Sequence, residues 1–298
     1  MASKRWNELA EVGSLTGIRI VLFISNVLGR GVARFVVRFV ALYFVAFSRR
    51  ARSASRQYLG KLHDNVTFRM VWRHILHFAF VAADRVFLLQ GKQKLFHVTS
   101  TGREHLLELS EKKQGAILLG AHLGSFEAMR VTSHTVDLPL NIVGYFRNAE
   151  RINSVLERLN PGLAPRVINV DPGNINFILD LKERVHAGEL VAILGDRVGL
   201  GEKYVEADFL GESARFPMGP YLLAALLDCP VYLTLGLYRG GNRYDLHCEP
   251  FADTMKFPRK GRKEAVKTYV QKYADRLEHY SRIEPKNWFN FYDFWAKE

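Results

Sequence analysis

The chain has 298 residues, of which 48% are hydrophobic and 24% are charged, and its formal net charge is +12. This is the composition of a globular protein that can bury a sizeable core. Its two cysteines, Cys229 and Cys248, exclude a disulfide framework and a four-cysteine metal site, and we expect both to be buried free thiols.

The N-terminal part of the chain is basic and apolar. Residues 12–63 contain nine Lys or Arg and no carboxylate, so this surface attracts anionic lipid, nucleic acid or an acidic protein. On a helix, Arg19, Arg30, Arg34 and Arg38 fall within about 100° of one another. We therefore predict a helix lying in the membrane interface, with its apolar face in the bilayer and its arginines at the headgroups. The alternative is a core helix pair with a solvated basic stripe.

The rest of the chain alternates between helix and strand patterns. These patterns predict a single α/β domain with a central, mostly parallel or mixed sheet flanked by helices. We assign residues 1–60 to a membrane-associating segment and residues 61–298 to the α/β domain. Strands are predicted at 95–100, 116–119, 140–146, 166–170, 190–194, 231–237 and 244–248, and helices at 64–95, 102–109, 149–159, 175–187, 216–227 and 263–280.

The stretch 115–130 contains the residues best suited to chemistry. Its apolar run predicts a buried strand, and Ser125 is the predicted N-cap of the helix that follows. His122 then lies at the carboxyl end of a strand, where open α/β sheets bind ligands. Gly124 allows a turn that would bring His122 to Glu127, and a carboxylate beside an imidazole fixes its tautomer. The alternative is a structural histidine.

Polar residues follow two further predicted strands. Arg147 and Asn148 come after the strand at 140–146, and Asp196 with Arg197 comes after the strand at 190–194. The carboxyl ends of parallel strands gather on one edge of a sheet, so we expect these residues to form a site together with His122. Taken singly, each arginine is better explained by a surface ion pair, and only their shared position after apolar strands makes a joint site an equal alternative.

Several motifs of other enzyme classes are absent. The chain has no G-x-S-x-G elbow, no phosphate-binding glycine loop of the G-x-x-x-x-G-K-[ST] or G-x-G-x-x-G type, and no H-E-x-x-H zinc motif. We therefore expect acid–base chemistry without a metal or a covalent cofactor. His122 would remove a proton from an acceptor hydroxyl or amine, which attacks an activated acyl carbon.

The ordered series of motifs resembles the lipid A late-acyltransferase branch of the lysophospholipid acyltransferase superfamily. The H-x4-[DE] signature of that superfamily is met by residues 122–127. Further similar features are the basic, apolar N-terminus, Tyr145-Phe-Arg147-Asn148, Gly195-Asp196-Arg197, Phe216-Pro-Met-Gly219 and Pro285-x-x-Trp288.

The resemblance implies a peripheral or monotopic enzyme on the cytoplasmic face of a bacterial inner membrane. It would move a fatty acyl chain from acyl carrier protein, or acyl-CoA, to a hydroxyl of a lipid or glycolipid. His122 would be the general base, Glu127 its orienting partner and Arg147 an acceptor or oxyanion contact. The remaining candidate substrate-binding residues are Asn148, Asp196, Arg197, Gly124 and Ser125.

Two alternatives remain open. The same residues could acylate another acceptor, such as an aryl polyene, an aminolipid or a mannoside lipid, or an amine. A non-catalytic basic protein that binds membranes or nucleic acid would explain the charge, but it leaves the polar residues at successive strand ends unexplained. We expect no nucleic acid partner.

Overall fold

A computed structural model describes residues 27–133, 138–144, 166–169, 176–199 and 201–296. At its centre is a seven-stranded sheet, which confirms the predicted single α/β domain. The strands of this sheet are β1 (His97–Thr101), β2 (Ala116–Gly120), β3 (Leu140–Gly144), β4 (Arg166–Asn169), β5 (Leu190–Leu194), β8 (Val231–Gly240) and β9 (Arg243–Ala252). They are arranged in the order β1-β9-β8-β2-β5-β3-β4.

The sheet is mostly parallel. Strands β8, β2, β5, β3 and β4 run in one direction, and β9 and β1 run in the other because β8 and β9 form an antiparallel pair. Strand β2 pairs with β8 and with β5 and is buried along its whole length. Ile117 and Leu119 enter one hydrophobic core, whereas Ala116 and Leu118 enter another, so β2 is covered on both faces.

Most described helices agree with the predicted ranges to within a few residues, but α3 ends six residues before its predicted end and α2 has no predicted range of its own. They are α1 (Gly29–Phe47), α2 (Arg49–Gly60), α3 (Phe68–Leu89), α4 (Arg103–Glu111), α5 (Phe126–Ser133), α6 (Asn176–His186), α7 (Gly219–Leu227) and α8 (Arg262–Ile283). The predicted helix at 149–159 lies outside the described residues. Both cysteines are free and buried, as expected.

Arg30 and Arg34 of α1 correct the predicted orientation of this helix, whereas Arg38 is exposed. Arg30 donates two hydrogen bonds of 2.8 Å to the buried carboxylate of Asp84 on α3, and Tyr244 Oη donates a third at 3.0 Å. Arg34 donates to Tyr238 Oη at 2.7 Å and lies 3.7 Å from the ring centroid of Phe80. A carboxylate without solvent needs such partners, so these arginines face the protein and not lipid headgroups. Arg19 lies outside the described residues.

A different face of α1 is open and apolar. Small residues, from Ala33 to Val45 at helical spacing, are buried against the body of the protein. Phe35 and Phe39 are each 58% exposed, and Phe47 is 73% exposed. No single helix among the described residues is long and apolar enough to cross a membrane. By length and composition alone, the pair α1 and α2, bent by 90°, passes that test.

One element was not predicted from the sequence. Strands β6 (Tyr204–Phe209) and β7 (Glu212–Pro217) form a separate antiparallel hairpin. Alternate residues of β6 are buried, and Phe209 stacks on Trp295 of the C-terminal segment, with 5.8 Å between the ring centroids. The hairpin therefore provides the surface on which the end of the chain packs.

Candidate active site

The site is built around a histidine and an aspartate. His122 Nδ1 lies 2.8 Å from Asp196 Oδ1, and the backbone N–H of His122 donates to Asp196 Oδ2 at 3.0 Å. The Asp196 side chain is fully buried, whereas 28% of the His122 side chain remains exposed. One edge of the imidazole is thus held by the protein, and the ring stays accessible from outside.

The register of the sheet explains why these two residues meet. Neighbouring strands β2 and β5 pair with Gly120 opposite Leu194. The two segments stay in register beyond the ends of the strands, since the N–H of Gly195 donates to the carbonyl of Gly120 at 3.0 Å. His122 and Asp196 each follow two residues after the end of their strand. The structure thus brings these two residues together at the carboxyl ends of β2 and β5.

Four hydrogen bonds hold the Asp196 carboxylate. Besides the two from His122, Oδ2 accepts from Trp288 Nε1 at 3.2 Å and from Asn290 Nδ2 at 3.0 Å. Burial alone would raise the pKa of this carboxyl group, but the charge and hydrogen bonds of His122, with Arg197 and Asn290, lower the pKa well below its usual range. Asp196 is therefore ionised at neutral pH.

Burial and the neighbouring charges together set the protonation state of His122. Burial, reinforced by the charge of Arg197, lowers the pKa of the imidazole, while Asp196 opposes this shift. The ring is consequently neutral at pH 7. An ionised carboxylate can only accept a hydrogen bond, so the proton of the neutral ring is on Nδ1. This leaves a lone pair on Nε2, the atom that a general base needs.

The predicted pairing of His122 with Glu127 is corrected by the structure. Glu127 lies in the first turn of α5, and its carboxylate forms an ion pair with Arg85 of α3, with 2.6 Å between Arg85 Nε and Glu127 Oε1. The Nε–H does not point at that oxygen, so the contact is ionic and not a hydrogen bond. Helix α5 packs against α3, so its first turn presents this carboxylate to Arg85. A catalytic role for Glu127 stays a prediction.

Gly124 and Ser125 shape the turn after His122. Gly124 has a φ of +82°, and an added Cβ would lie 2.0 Å from the carbonyl oxygen of Gly236, so only glycine fits this position. Ser125 is the N-cap of α5, as predicted, because its Oγ accepts from the N–H of Ala128 at 3.2 Å. Their predicted contact with substrate is untested.

Arg197 is engaged by the C-terminal segment. Its Nε donates to Asn290 Oδ1 at 2.6 Å, and one terminal amino group donates to the carbonyl of Phe289 at 3.1 Å. The guanidinium thus links the loop after β5 to the end of the chain. Its predicted role in substrate binding remains a prediction, and Arg147 and Asn148 lie outside the described residues.

The sequence did not identify the C-terminal segment as part of the site. Residues 287–290 run beside the turn after β2: Gly124 N–H donates to the carbonyl of Asn287 at 2.9 Å, and Phe289 N–H donates to the carbonyl of His122 at 2.7 Å. Trp288 belongs to a motif noted in the sequence, but nothing there pointed to a contact with Asp196. No sequence motif or pattern pointed to Asn290.

The fold and the site together place a histidine–aspartate pair where α/β sheets bind ligands. A neutral imidazole held by an ionised aspartate at the carboxyl ends of parallel strands offers the groups that general-base chemistry uses. Among the described residues, no three His, Cys, Asp or Glu side chains come together as metal ligands would.

Comparison with known proteins gives the family. The model of the bacterial lipid A biosynthesis acyltransferases matches residues 9–297, nearly the whole chain. The chain belongs to this family and is an acyltransferase. A search of curated proteins found no match.

Proposed function

We propose that this acyltransferase moves a fatty acyl chain from the thioester of acyl carrier protein, or of CoA, to a hydroxyl of a lipid or glycolipid. The observation that carries the proposal is the His122–Asp196 pair, which leaves Nε2 as a base on the accessible side of the ring. A hydroxyl is a poor nucleophile until a base takes its proton during the attack, and such help is worth about 10²–10⁴ in rate.

The proposed reaction needs only these groups and the two substrates. Nε2 of His122 takes the proton of the acceptor hydroxyl while that oxygen attacks the thioester carbonyl carbon. The tetrahedral intermediate collapses, the new C–O ester bond remains, and the C–S bond breaks. The imidazolium returns its proton to the leaving thiolate. Asp196 stabilises the imidazolium throughout without becoming protonated itself.

Two surfaces support a lipid acceptor and an acidic donor protein. The exposed aromatic face of α1 suits the apolar part of a membrane interface, and we propose that the protein lies on the cytoplasmic side of the inner membrane by this face. The net charge of +12 favours both anionic lipid and an acidic carrier protein. The division into a membrane-associating segment 1–60 and a domain 61–298 belongs to the same proposal.

Mass spectrometry of lipid extracts tests the proposed function. Cells that express the wild-type protein should contain a lipid one acyl chain heavier than its precursor, and cells that express His122→Ala should not. His279→Ala is the matched control, because His279 also precedes a glutamate, Glu284, by five residues but lies exposed on α8. This control should retain the product.

The outcome also separates the possible acceptors. The mass and fragmentation of the heavier lipid name the acceptor and show whether it is lipid A, an aryl polyene, an aminolipid or a mannoside lipid, and whether the new bond is an ester or an amide. If the product persists in His122→Ala, His122 is not the base. If no lipid changes with the wild-type protein, the proposed acyl transfer to lipid is wrong.

A further inference from the structure

We infer that Asn290, assisted by Trp288, is a positioning residue that holds Asp196 against His122, so that the C-terminal segment completes the active site. This inference rests on the proposed function, because it assigns these residues to the same base. It differs from a purely structural role in one measurable respect: Asn290 would set the proton affinity of His122 and not only the stability of the fold.

The first argument is the orientation of the Asn290 amide. Its Nδ2 donates to Asp196 Oδ2 at 3.0 Å, and its Oδ1 accepts from Arg197 Nε at 2.6 Å. A flipped amide would place oxygen against the carboxylate and N–H against the guanidinium, and both contacts would be repulsive. The amide is therefore fixed in one orientation. No carboxylate side chain can make both contacts, because it has no N–H to donate.

The second argument is that Asn290 lies between the buried carboxylate of Asp196 and the part-buried guanidinium of Arg197. Arg197 is a neighbour of Asp196 in sequence, and its guanidinium donates to Asn290 and to the backbone carbonyl of Phe289. Of the two carboxylate oxygens, Oδ1 lies against His122 Nδ1, and Oδ2 accepts from the His122 backbone, Trp288 and Asn290. The aspartate acts on the imidazole because the amide stands between it and the arginine.

The third argument is that the segment is anchored independently of the site. The Trp288 ring packs against Tyr58 and Phe294 with centroid distances of 4.9 and 4.7 Å, and its Nε1 donates to Asp196. The carbonyl of Trp288 accepts from Nε2 of the buried His74, whose Nδ1 lies 2.9 Å from Ser55 Oγ. Burial lowers the pKa of His74 to about 4, so it is neutral and can serve as this fixed donor.

The charged and titratable groups near the pair come from several elements. Arg197 acts on His122 from the loop after β5, and three tyrosines, two buried and one partly buried, interact with Asp196 from α7, from α8 and from the C-terminal segment. They are Tyr221, Tyr273 and Tyr292, and burial raises the pKa of each of them. All three are uncharged at neutral pH, so a new charge at position 290 would be felt chiefly by Asp196, His122 and Arg197.

The test is to titrate His122 itself by NMR. The full-length protein in detergent micelles is labelled with ¹⁵N in its histidine rings, and the His122 signals are assigned by their loss in His122→Gln. In the wild type we expect a neutral ring protonated at Nδ1 and a titration midpoint below the ordinary 6.5. Asn290→Asp adds a negative charge beside the pair, which should raise the midpoint by about one unit. Trp288→Phe keeps the ring packing but removes an N–H dipole, so it should raise the midpoint by less.

Asn287→Asp is the matched control. Asn287 lies in the same segment and is equally buried, but its side-chain amide bonds to the backbone N–H and carbonyl of Tyr238 and not to Asp196. A structural role would lower the melting temperature of both aspartate variants alike. We expect only Asn290→Asp to move the His122 midpoint clearly. Equal midpoints in the two variants would overturn the inference.

An activity measurement keeps this inference separate from the proposed function. Asn290→Leu should lower the turnover of acyl transfer by about 10–100-fold, the value of a hydrogen bond to a charged group, with KM changed by less than about twofold. If the wild type transfers no acyl chain to lipid, the proposed function fails while the titration still decides the role of Asn290. If Asn290→Asp does not fold, the titration of Trp288→Phe decides it, and an unchanged midpoint there would overturn the inference.

Discussion

Exchanging the aspartate carboxylate for an amide, in Asp196→Asn, should move the proton of His122 to the wrong nitrogen. The Oδ2 position faces three donors: the His122 backbone N–H, Trp288 Nε1 and Asn290 Nδ2. The oxygen of the new amide must therefore occupy that position. Its NH₂ group then points at His122 Nδ1, which has to accept a hydrogen bond instead of donating one.

Asp196→Asn therefore removes the general base, although asparagine has almost the same shape as aspartate. When Nδ1 accepts, the proton of the neutral ring is on Nε2, and no lone pair remains there for an acceptor hydroxyl. In the serine protease triad the same exchange lowers kcat about 10⁴-fold through the tautomer. We expect a loss of about 10³–10⁴-fold here, with little change in KM, because Asp196 is fully buried and does not reach substrate.

Two measurements on the purified protein check this prediction. Turnover is followed as the acylated lipid formed from an acyl carrier protein thioester, and the tautomer of His122 is read from the ¹⁵N shifts of its ring. Glu127→Gln is the comparison, because it removes the partner of Arg85 and leaves Asp196 in place. It should keep the proton on Nδ1, whatever its effect on turnover.

The opposite pattern would refute the reasoning. If Asp196→Asn keeps Nδ1 protonated and retains turnover, while Glu127→Gln moves the proton, then Glu127 is the orienting carboxylate in solution. A melting temperature close to that of the wild type is required of both variants before their rates are compared.

Three further predictions concern the scaffold of the site and its surface. Gly124→Ala should lower the free energy of unfolding and the activity much more than Gly211→Ala. Both glycines have a φ near +80°, but only Gly124 faces a backbone oxygen, which would lie 2.0 Å from an added Cβ. Equal losses of unfolding free energy in denaturant melts would contradict this. Asp84→Asn should cost about 3–5 kcal/mol of unfolding free energy in the same assay, because it leaves the part-buried Arg30 without its counter-charge. A cost near zero would show that this ion pair does not stabilise the fold. Replacing Phe39 and Phe47 together by Ser should reduce co-flotation with anionic lipid vesicles at least about tenfold, because burying each ring fully in the membrane contributes about 1.5–3 kcal/mol. Unchanged flotation would mean that another surface binds the membrane.

The elements of this fold could be predicted largely from local patterns. The run 116–119 between glycines is strand β2, buried on both faces, and Ser125 caps the helix that follows it. The hairpin of β6 and β7 escaped notice although its residues alternate, because each strand contains two charged side chains that interrupt the apolar pattern. Local pattern is informative where periodicity is strong, and weak where a strand is only half apolar.

The orientation of α1 shows what such patterns cannot supply. Helical spacing correctly placed its arginines on one side, yet it could not say what that side faces. A single buried carboxylate, Asp84, more than 40 residues away in sequence, turns Arg30 inward, and Phe35 and Phe39 are left exposed. An amphipathic pattern defines two faces, but the partner that packs on each is a tertiary property.

The same division holds for the active site. By itself the sequence determined that His122 and Asp196 each follow a buried parallel strand, and therefore that both lie at the ligand-binding edge of an α/β sheet. Only the tertiary structure decided that β2 and β5 are neighbours, which gives Asp196 and not Glu127 to the imidazole, and that Trp288 and Asn290 close around the carboxylate. The physical reason is range: strand periodicity is written in adjacent residues, whereas strand order and the docking of the chain end depend on contacts between residues 74 to 94 positions apart.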